Sequence, residues 1–375
     1  MDNDFVGFGA LGEAMQHLAE NGYEKIFVVA SKTGWERFNA KGTYPFFAQS
    51  NVQLFSDFGT NPDFADIKKG AELFKTFDPD ILIAVGGGSP IDVAKVIKVL
   101  TFTREPYDPE KPESLKPSGE GPPLVAIATT AGSGSEATQY AVFYVGKNKQ
   151  SLAHPSIRPD IAVVDPELTY SMPPHQTAAT GFDALSQAVE AFWASSTTPE
   201  AQELASAAIG YVIPNIYNAT TAPAPGNRYH MAQAAYLAGK AINITRTTIP
   251  HALAYHLTKE YNLAHGHAVA ITLPYCFLAN LDPRCEIITP LGADAHRANM
   301  EKLIELLGQK TAEDCFVFWR NLMKACGLPE TLNKIGLTTE KQVRDLIATM
   351  NPARMKNHPV RIDADYLTEL FMNNP

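Results

Sequence analysis

The chain of 375 residues carries candidate metal ligands in two segments of its second half. Asp183 and Gln187 stand four residues apart, so on a helix both side chains leave the same face. His251 and His265 lie in a segment that holds four of the ten histidines. One carboxylate and two imidazoles suit Zn²⁺ or Fe²⁺, and Gln187 offers a fourth, neutral oxygen donor.

The spacing of the two histidines sets a condition on the fold. Fourteen residues separate His251 from His265, which is about 21 Å along one straight helix. They share a metal only if the chain turns between them, and Asn262 and Gly266 are residues that favour such a turn. The alternative for each histidine is a hydrogen-bonded structural side chain.

A glycine-rich loop in the first half predicts phosphate binding. It follows the apolar segment 81–85, precedes a segment with helical spacing, and consists of Gly86, Gly87, Gly88 and Ser89. Glycines let the backbone approach a diphosphate, and the helix start behind them presents free N–H groups. Ser89 fits the N-cap of that helix, with Asp92 completing a capping box. The three glycines could instead form only a tight turn.

A second polar loop, at 129–136, follows the apolar segment 124–128 and contains Thr129, Thr130 and Ser133. Because the carboxyl ends of parallel strands meet at one edge of a sheet, the two loops are expected to converge. Together they predict a dinucleotide site.

These residues need elements to position them, and the hydrophobic pattern predicts two kinds. Short β-branched runs alternate with amphipathic stretches up to about residue 165; the runs are 25–30, 52–55, 81–85, 124–128 and 161–164. This rhythm indicates an α/β dinucleotide-binding domain with a Rossmann-like parallel sheet, assigned to residues 1–170. Beyond it, alanine-rich stretches at 177–193 and 200–219 predict an all-α helical domain over 171–375 that binds metal and substrate.

Composition excludes several classes of protein. With 45% hydrophobic and 19% charged residues, the chain is typical of globular proteins. Its formal charge of −9, from 31 basic and 40 acidic residues, provides no polybasic surface for nucleic acid. The sequence has no apolar run near the length of a membrane span, and its acidic start differs from a signal peptide. A cytoplasmic protein without membrane or nucleic-acid partners is expected.

Taken together, these motifs resemble the iron-containing (group III) alcohol dehydrogenase family. The resemblance also includes Asp-Pro-Glu-Leu at 165–168 and Gly-Phe-Asp-Ala-Leu at 181–185. It implies an NAD(P)-dependent oxidoreductase with a divalent metal, Fe²⁺ or Zn²⁺, and NADPH or NADH, and it makes a homodimer an open expectation. It further implies that Asp183, His251 and His265 bind the metal, that the glycine loop binds the diphosphate, and that Thr129, Thr130 and Lys149 contact the cofactor.

Two departures from the family pattern concern catalysis. Gln187 stands where the family usually has a third histidine, which weakens the predicted metal site. Tyr255 stands where the family often has a histidine proposed to relay a proton, and His256 is displaced by one position. Tyr255, His256 and His267 are therefore alternative proton donors.

A third departure concerns the substrate. Arg246, Thr247 and Thr248 precede His251 where the family has small apolar residues, and a cation beside hydroxyls is a reasonable anion site. Together with Ser-Leu-Ala-His-Pro-Ser at 151–156, Asp-Ala-Leu-Ser-Gln at 183–187 and His-Gly-His-Ala-Val at 265–269, these residues make the chain resemble the phosphonoacetaldehyde reductase (hydroxyethylphosphonate dehydrogenase) subgroup. The predicted reaction is reduction of a small anionic aldehyde, phosphonoacetaldehyde, to 2-hydroxyethylphosphonate.

Several alternatives stay open. Arg246 could form a structural ion pair, and the substrate would then be an ordinary short-chain alcohol or aldehyde. The same motifs are compatible with three other hypotheses: a metal-independent reductase like the maleylacetate reductases, a lyase related to 3-dehydroquinate synthase, and a non-catalytic binding protein.

The end of the first apolar run predicts the coenzyme. Many family members carry an aspartate there that binds the adenosine ribose, whereas this chain has Ser31, followed by Lys32. A serine removes the repulsion of a 2′-phosphate, and Lys32 or Arg37 could provide a cation. NADPH is expected to serve at least as well as NADH, unless Ser31 only caps the next helix.

Overall fold

A computed structural model describes residues 4–40, 44–103, 107–111, 121–146, 148–350 and 352–374. The chain divides into two units, Met1–Tyr170 and Ser171–Pro375. Among the described residues, no helix has the length and apolarity that crossing a membrane requires.

The first unit is built on a six-stranded parallel sheet. Its strands are β1 (Phe5–Val6), β2 (Lys25–Ala30), β3 (Asn51–Phe55), β4 (Ile81–Gly86), β5 (Leu124–Ala128) and β8 (Ile161–Val164). Across the sheet they have the order β1-β8-β5-β4-β2-β3. All five apolar runs identified in the sequence are strands of this sheet, which confirms the predicted fold class. The short edge strand β1 was not predicted.

Helices cover both faces of the sheet, which explains why its strands are apolar throughout. In β2, Phe27 and Val29 pack into one buried cluster, whereas Ile26 and Val28 pack into a second cluster on the opposite face. The helices of this unit are α1 (Ala10–Glu20), α2 (Lys32–Ala40), α3 (Pro45–Gln49), α4 (Phe64–Phe77) and α5 (Gly88–Thr101).

An antiparallel pair of strands, which was not predicted, lies outside this sheet. It consists of β6 (Tyr140–Val145) and β7 (Asn148–Ala153), in register with Tyr140 opposite Ala153. The pair follows the second polar loop along the chain and carries Lys149 on β7.

The described part of the second unit is mainly helical, which agrees with the helical domain predicted for it. The all-α prediction did not include its short antiparallel pair, β9 (Glu286–Ile287) with β10 (Val360–Arg361). Its helices are α6 (Pro174–Trp193), α7 (Pro199–Thr221), α8 (Pro225–Thr245), α9 (Ile249–Glu260), α10 (His265–Leu281), α11 (Ala293–Leu306), α12 (Ala312–Ala325), α13 (Glu340–Ile347), α14 (Pro352–Asn357) and α15 (Ala364–Asn373).

Helix α6 is the central element of this unit, packed by α7, α8 and α10 and buried along nearly its whole length. The chain turns between α9 and α10 through Asn262, whose left-handed backbone (φ 52) suits asparagine. Gly266, the other predicted turn residue, instead lies in the first turn of α10.

At Gly266 the backbone of α10 lies so close to α6 that no side chain fits between them. A Cβ atom on Gly266 would lie 2.0 Å from the carbonyl oxygen of Ala179 and 2.9 Å from the backbone nitrogen of Asp183. Only a residue without a side chain permits this contact, which places the start of α10 against the middle of α6.

Gly266→Ala is therefore expected to lower the free energy of unfolding by about 1–3 kcal/mol through overpacking against backbone. Gly210→Ala in α7 is the matched control, because a Cβ there has no atom within 4 Å, and it should raise stability by about 0.5–1 kcal/mol. Urea unfolding of both variants measures the difference; equal effects would show that the α6–α10 contact tolerates a methyl group.

Candidate metal centre and cofactor loops

Three predicted ligands from three helices come together in the second unit. Asp183 lies in the middle of α6, His251 in the first turn of α9, and His265 is the first residue of α10. One ligand atom from each lies within 4.8 Å of the other two. The turn at Asn262 brings together two histidines that one straight helix would hold far apart.

The donor atoms fit a divalent cation. Oδ1 of Asp183 is buried and has no hydrogen-bond partner among the described residues, and Nε2 of His251 lies 3.5 Å from it. Burial raises the pKa of Asp183, but the adjacent His251 and His265 and a hydrogen bond with Gln187 lower it more, so this carboxyl ionises below its usual pKa. An ionised carboxylate facing two imidazoles is a suitable ligand set for Fe²⁺ or Zn²⁺.

Glu190 is a site residue that the sequence analysis missed. Its carboxylate is fully buried and makes a short hydrogen bond with Nδ1 of His251. It lies on the same face of α6 as Asp183 and Gln187, at positions i, i+4 and i+7, and this spacing was a signal that could have identified it. Burial lowers the pKa of His251, whereas Glu190 and Asp183 raise it, to about 9 overall. The two carboxylates make this pocket favourable for a cation.

The structure separates the three candidate proton donors. The Tyr255 ring is half-buried and stacks on His265, with centroids 6.3 Å apart and planes 15° apart. His256 packs against Tyr261, with centroids 6.1 Å apart. His267 is buried, and its Nε2–H donates to the carbonyl of Pro329 over 2.7 Å. Of the three, Tyr255 is the one that contacts a predicted metal ligand.

Arg246, Thr247 and Thr248 do not converge on one anion site. The Thr248 hydroxyl is buried, donates to Glu190 over 2.8 Å and accepts from the Trp193 indole over 3.1 Å. The Thr247 hydroxyl is also buried and accepts a hydrogen bond from Arg354. Consecutive residues between α8 and α9 point to different surroundings, so the expected grouping of a cation with these two hydroxyls is not observed.

Arg246 itself is exposed at the end of α8, in a left-handed backbone conformation with φ 63. It lines a cavity of about 320 Å³ with Ser196, Lys356 and Asn357. Among the described residues it has no ion-pair partner, so the predicted alternative of a structural ion pair is not observed there either.

In the first unit, the glycine loop lies at the start of α5, whose N-cap is Gly87. The predicted N-cap, Ser89, is inside the helix, and its hydroxyl donates to the carbonyl of Thr60 over 2.6 Å. The predicted capping box is therefore wrong. Because Gly87 provides no side-chain cap, the N–H groups of the first turn are available to a ligand.

The two polar loops converge as expected. A Cβ atom on Gly87 would lie 2.9 Å from the Thr130 hydroxyl, and one on Gly88 would lie 3.2 Å from that of Ser133. The backbone nitrogen of Thr129 donates to the carbonyl of Gly86 over 2.9 Å. A side chain at 87 would force Thr130 to move, and one at 88 would crowd Ser133, so glycines here let the loops lie close together without a shift.

Asp92 holds the second loop rather than capping a helix. Its carboxylate accepts from the Ser135 hydroxyl over 2.6 Å and from the Val142 nitrogen over 3.0 Å. Burial raises the pKa of Asp92. Lys95, Lys149 and the two hydrogen bonds lower it by less, so the pKa stays above its usual value. Lys149, the predicted cofactor contact on β7, is half-buried near this carboxylate.

Lys95 joins the same network and was missed by the sequence analysis. Its side chain is fully buried, and its ammonium donates to the carbonyls of Ser135 and Tyr140, each over 2.7 Å. Burial lowers the pKa of Lys95 to about 8. Its spacing of three residues from Asp92 on α5 was the available signal.

Ser31 directly follows β2, whose last residue, Ala30, pairs with Val85 just before the glycine loop. The Ser31 hydroxyl accepts a hydrogen bond from the Gly34 nitrogen over 3.0 Å, so it caps the start of α2. Lys32 and Arg37 are exposed. Ser31 therefore lies next to the glycine loop, as the coenzyme prediction requires, and it also caps α2, as the alternative prediction states.

Relatives of known activity resemble almost the whole chain. It is 31% identical to a long-chain-alcohol dehydrogenase of Geobacillus thermodenitrificans, over 88% of this chain and 84% of that one. It is 32% identical to an NADPH-dependent butanol dehydrogenase of Clostridium saccharobutylicum, over 83% of this chain and 82% of that one.

Among solved structures, a sulfoacetaldehyde reductase from Bifidobacterium kashiwanohense in complex with NAD+ superposes with a TM-score of 0.87. It is 29% identical and covers 99% of this chain and 96% of its own. Residues 4–166 match the family described as Iron-containing alcohol dehydrogenase, and residues 177–374 match its C-terminal counterpart. These matches confirm the predicted oxidoreductase class; the family description names iron, and the sulfoacetaldehyde reductase is in complex with NAD+. The chain belongs to the iron-containing alcohol dehydrogenase family.

Proposed function

We propose that this protein reduces a small anionic aldehyde, phosphonoacetaldehyde, to 2-hydroxyethylphosphonate with NADPH or NADH. The observation that carries the proposal is the cluster of Asp183, His251 and His265, whose ligand atoms lie within 4.8 Å of one another. The sulfoacetaldehyde reductase supports the anionic substrate class, because sulfonate and phosphonate are both anions joined to the same two-carbon aldehyde.

When bound, the metal supplies Lewis-acid polarisation of the carbonyl, and the nicotinamide supplies the hydride. Asp183, His251 and His265 would hold the metal in a pocket of low exposure. Gly87, with the adjacent first turn of α5, presents backbone N–H groups to the coenzyme diphosphate. Reduction of the aldehyde also requires one proton at the oxygen that becomes the alcohol.

Tyr255 is the residue that we propose to deliver this proton. Its ring stacks on His265 at the edge of the ligand cluster, and it is half-buried, so water can reach it. His267 is less suited, because its Nε2–H already donates to the Pro329 carbonyl. His256 is turned towards Tyr261.

Reduction of a neutral short-chain aldehyde is a second candidate, and a specific observation favours it. The hydroxyls of Thr247 and Thr248 are buried and occupied by Arg354 and Glu190, so neither supplements Arg246 as an anion ligand. The metal-independent alternative is disfavoured by the buried Asp183 Oδ1, which has no hydrogen-bond partner among the described residues.

The test is a panel of phosphonoacetaldehyde, sulfoacetaldehyde and propanal, assayed with both coenzymes before and after chelation. The proposal expects the highest kcat/KM with phosphonoacetaldehyde, loss of activity after chelation, and recovery with Fe²⁺ or Zn²⁺. A preference for propanal would establish the neutral substrate class, and full activity of protein shown by elemental analysis to contain no metal would establish the metal-independent reaction.

Arg246→Ala tests how the anion is recognised. Hydrogen bonds to charged groups contribute about 1.5 kcal/mol or more, so KM for phosphonoacetaldehyde should rise roughly 10-fold while KM for propanal stays unchanged. Arg297→Ala, which removes another exposed arginine, is the control and should alter neither value. Equal changes with both aldehydes would show that Arg246 does not bind the anionic group.

Ser31→Asp tests the coenzyme site. Aspartate retains the capping role towards Gly34, so stability should be preserved, while its charge repels a 2′-phosphate. We expect the wild type to use NADPH at least as well as NADH, and the variant to shift towards NADH. The measurement is the ratio of kcat/KM for the two coenzymes; a strong wild-type preference for NADH that the substitution leaves unchanged would refute the assignment.

A further inference from the structure

The buried carboxylate of Glu190 has no role in the reaction described above, although it contacts a metal ligand directly. Oε1 of Glu190 bonds Nδ1 of His251, and Oε2 accepts from the backbone nitrogen of Thr248 over 2.6 Å and from its hydroxyl over 2.8 Å. The Thr248 hydroxyl accepts in turn from the indole N–H of Trp193 over 3.1 Å. Glu190, Thr248 and Trp193 are all buried to at least 99%.

This network determines which ring nitrogen of His251 has a lone pair available for the metal. A carboxylate only accepts hydrogen bonds, so His251 must carry a proton on Nδ1 to contact Glu190. In the neutral ring this leaves the lone pair on Nε2, the nitrogen that lies 3.5 Å from Oδ1 of Asp183. The tautomer that can bind a metal beside Asp183 is therefore the one that Glu190 selects.

The charges of the pocket agree with this assignment. Asp183 and Glu190 are two buried carboxylates within two turns of α6, and Gln187 between them is neutral. Two negative charges balance one divalent cation, which offsets the cost of burying both carboxylates.

We propose that Glu190 is the positioning residue of the metal centre: it holds His251 with the Nε2 lone pair directed at the ion, and Thr248 and Trp193 hold Glu190. Because Gln187 is a weaker ligand than the imidazole usual in the family, the affinity of this chain for metal depends strongly on the orientation of His251. The inference concerns the same site as the proposed function.

Glu190→Gln is the decisive variant because it keeps the shape of the side chain. The backbone N–H of Thr248 can only donate, so the amide oxygen must face it, and the amide NH₂ then faces Nδ1 of His251. That nitrogen must now accept, which moves the ring proton to Nε2 and blocks metal binding. The opposite amide orientation sets NH₂ against the Thr248 N–H.

We therefore expect Glu190→Gln to raise the Kd for Zn²⁺ about 10- to 100-fold, the range typical of such partners of metal-binding histidines. Zn²⁺ affinity is measured by competition with a chromophoric chelator, and Tm is measured on chelated protein with and without added Zn²⁺. The chelated variant should melt close to the chelated wild type, and added Zn²⁺ should stabilise it less. Glu203→Gln, at an exposed glutamate of α7, is the control and should bind Zn²⁺ as the wild type does.

A second pair of variants decides the question if Glu190→Gln does not fold. Thr248→Val removes one hydrogen bond to Glu190, whereas Thr247→Val removes a buried hydroxyl that bonds Arg354 instead. The proposal expects a weaker Zn²⁺ affinity for Thr248→Val than for Thr247→Val. Wild-type affinity in Glu190→Gln, or equal affinities in the two threonine variants, would overturn it.

The Zn²⁺ titration contains neither aldehyde nor coenzyme. Its result therefore stands even if the aldehyde panel identifies no substrate. Conversely, identification of a substrate does not show what Glu190 does, and only the titration tests that.

Discussion

Burial of two carboxylates on one face of α6 is the constraint on which the second unit depends. Asp183 and Glu190 are removed from water in the middle of a helical core, where an uncompensated charge is strongly unfavourable. His251 contacts both of them, His265 lies beside it, and Thr248 satisfies the far oxygen of Glu190. The turn between α9 and α10 and the close contact at Gly266 serve this compensation, because they bring the histidines to α6.

The first unit also buries a charged side chain that needs compensation, but here the buried charge is positive. Lys95 of α5 buries its ammonium among oxygen atoms of Ser135, Thr138 and Tyr140. Asp92, one helical turn earlier, balances this charge and anchors Ser135 and Val142. A buried ion and its partners therefore connect α5, which begins at the glycine loop, to the second polar loop. Gly87 and Gly88 let the backbone of the first loop approach the side chains of Thr130 and Ser133.

The two units combine chemistry that is common to the family with features that are particular to this chain. The Asp183, His251 and His265 set is suited to holding a divalent metal, which would polarise a carbonyl group. Gln187 replaces the stronger donor, so more of the binding energy for the ion must come from how well the remaining ligands are oriented. The cavity beside Arg246 and Lys356 adds positive charge at the end of α8, without the two threonine hydroxyls that adjoin Arg246 in sequence.

Local pattern in the sequence determined most of the architecture. The β-branched runs at 25–30 and 81–85 favour strands buried on both faces, as in a parallel sheet, and the periodicity of the alanine-rich stretch at 177–193 favours a helix. The family motifs identified Asp183, His251 and His265. Tertiary structure decided whatever depends on contacts between distant residues: the partner of His251 is Glu190, Asp92 bonds the second loop rather than a helix N-cap, and Thr248 faces Glu190 rather than Arg246. The spacing on α6 could have identified Glu190 as a member of the ligand face, but not its partner. Hydrogen-bond direction depends on how α6, α9 and the loops pack, and periodicity specifies only the face of an element, not the group that meets it.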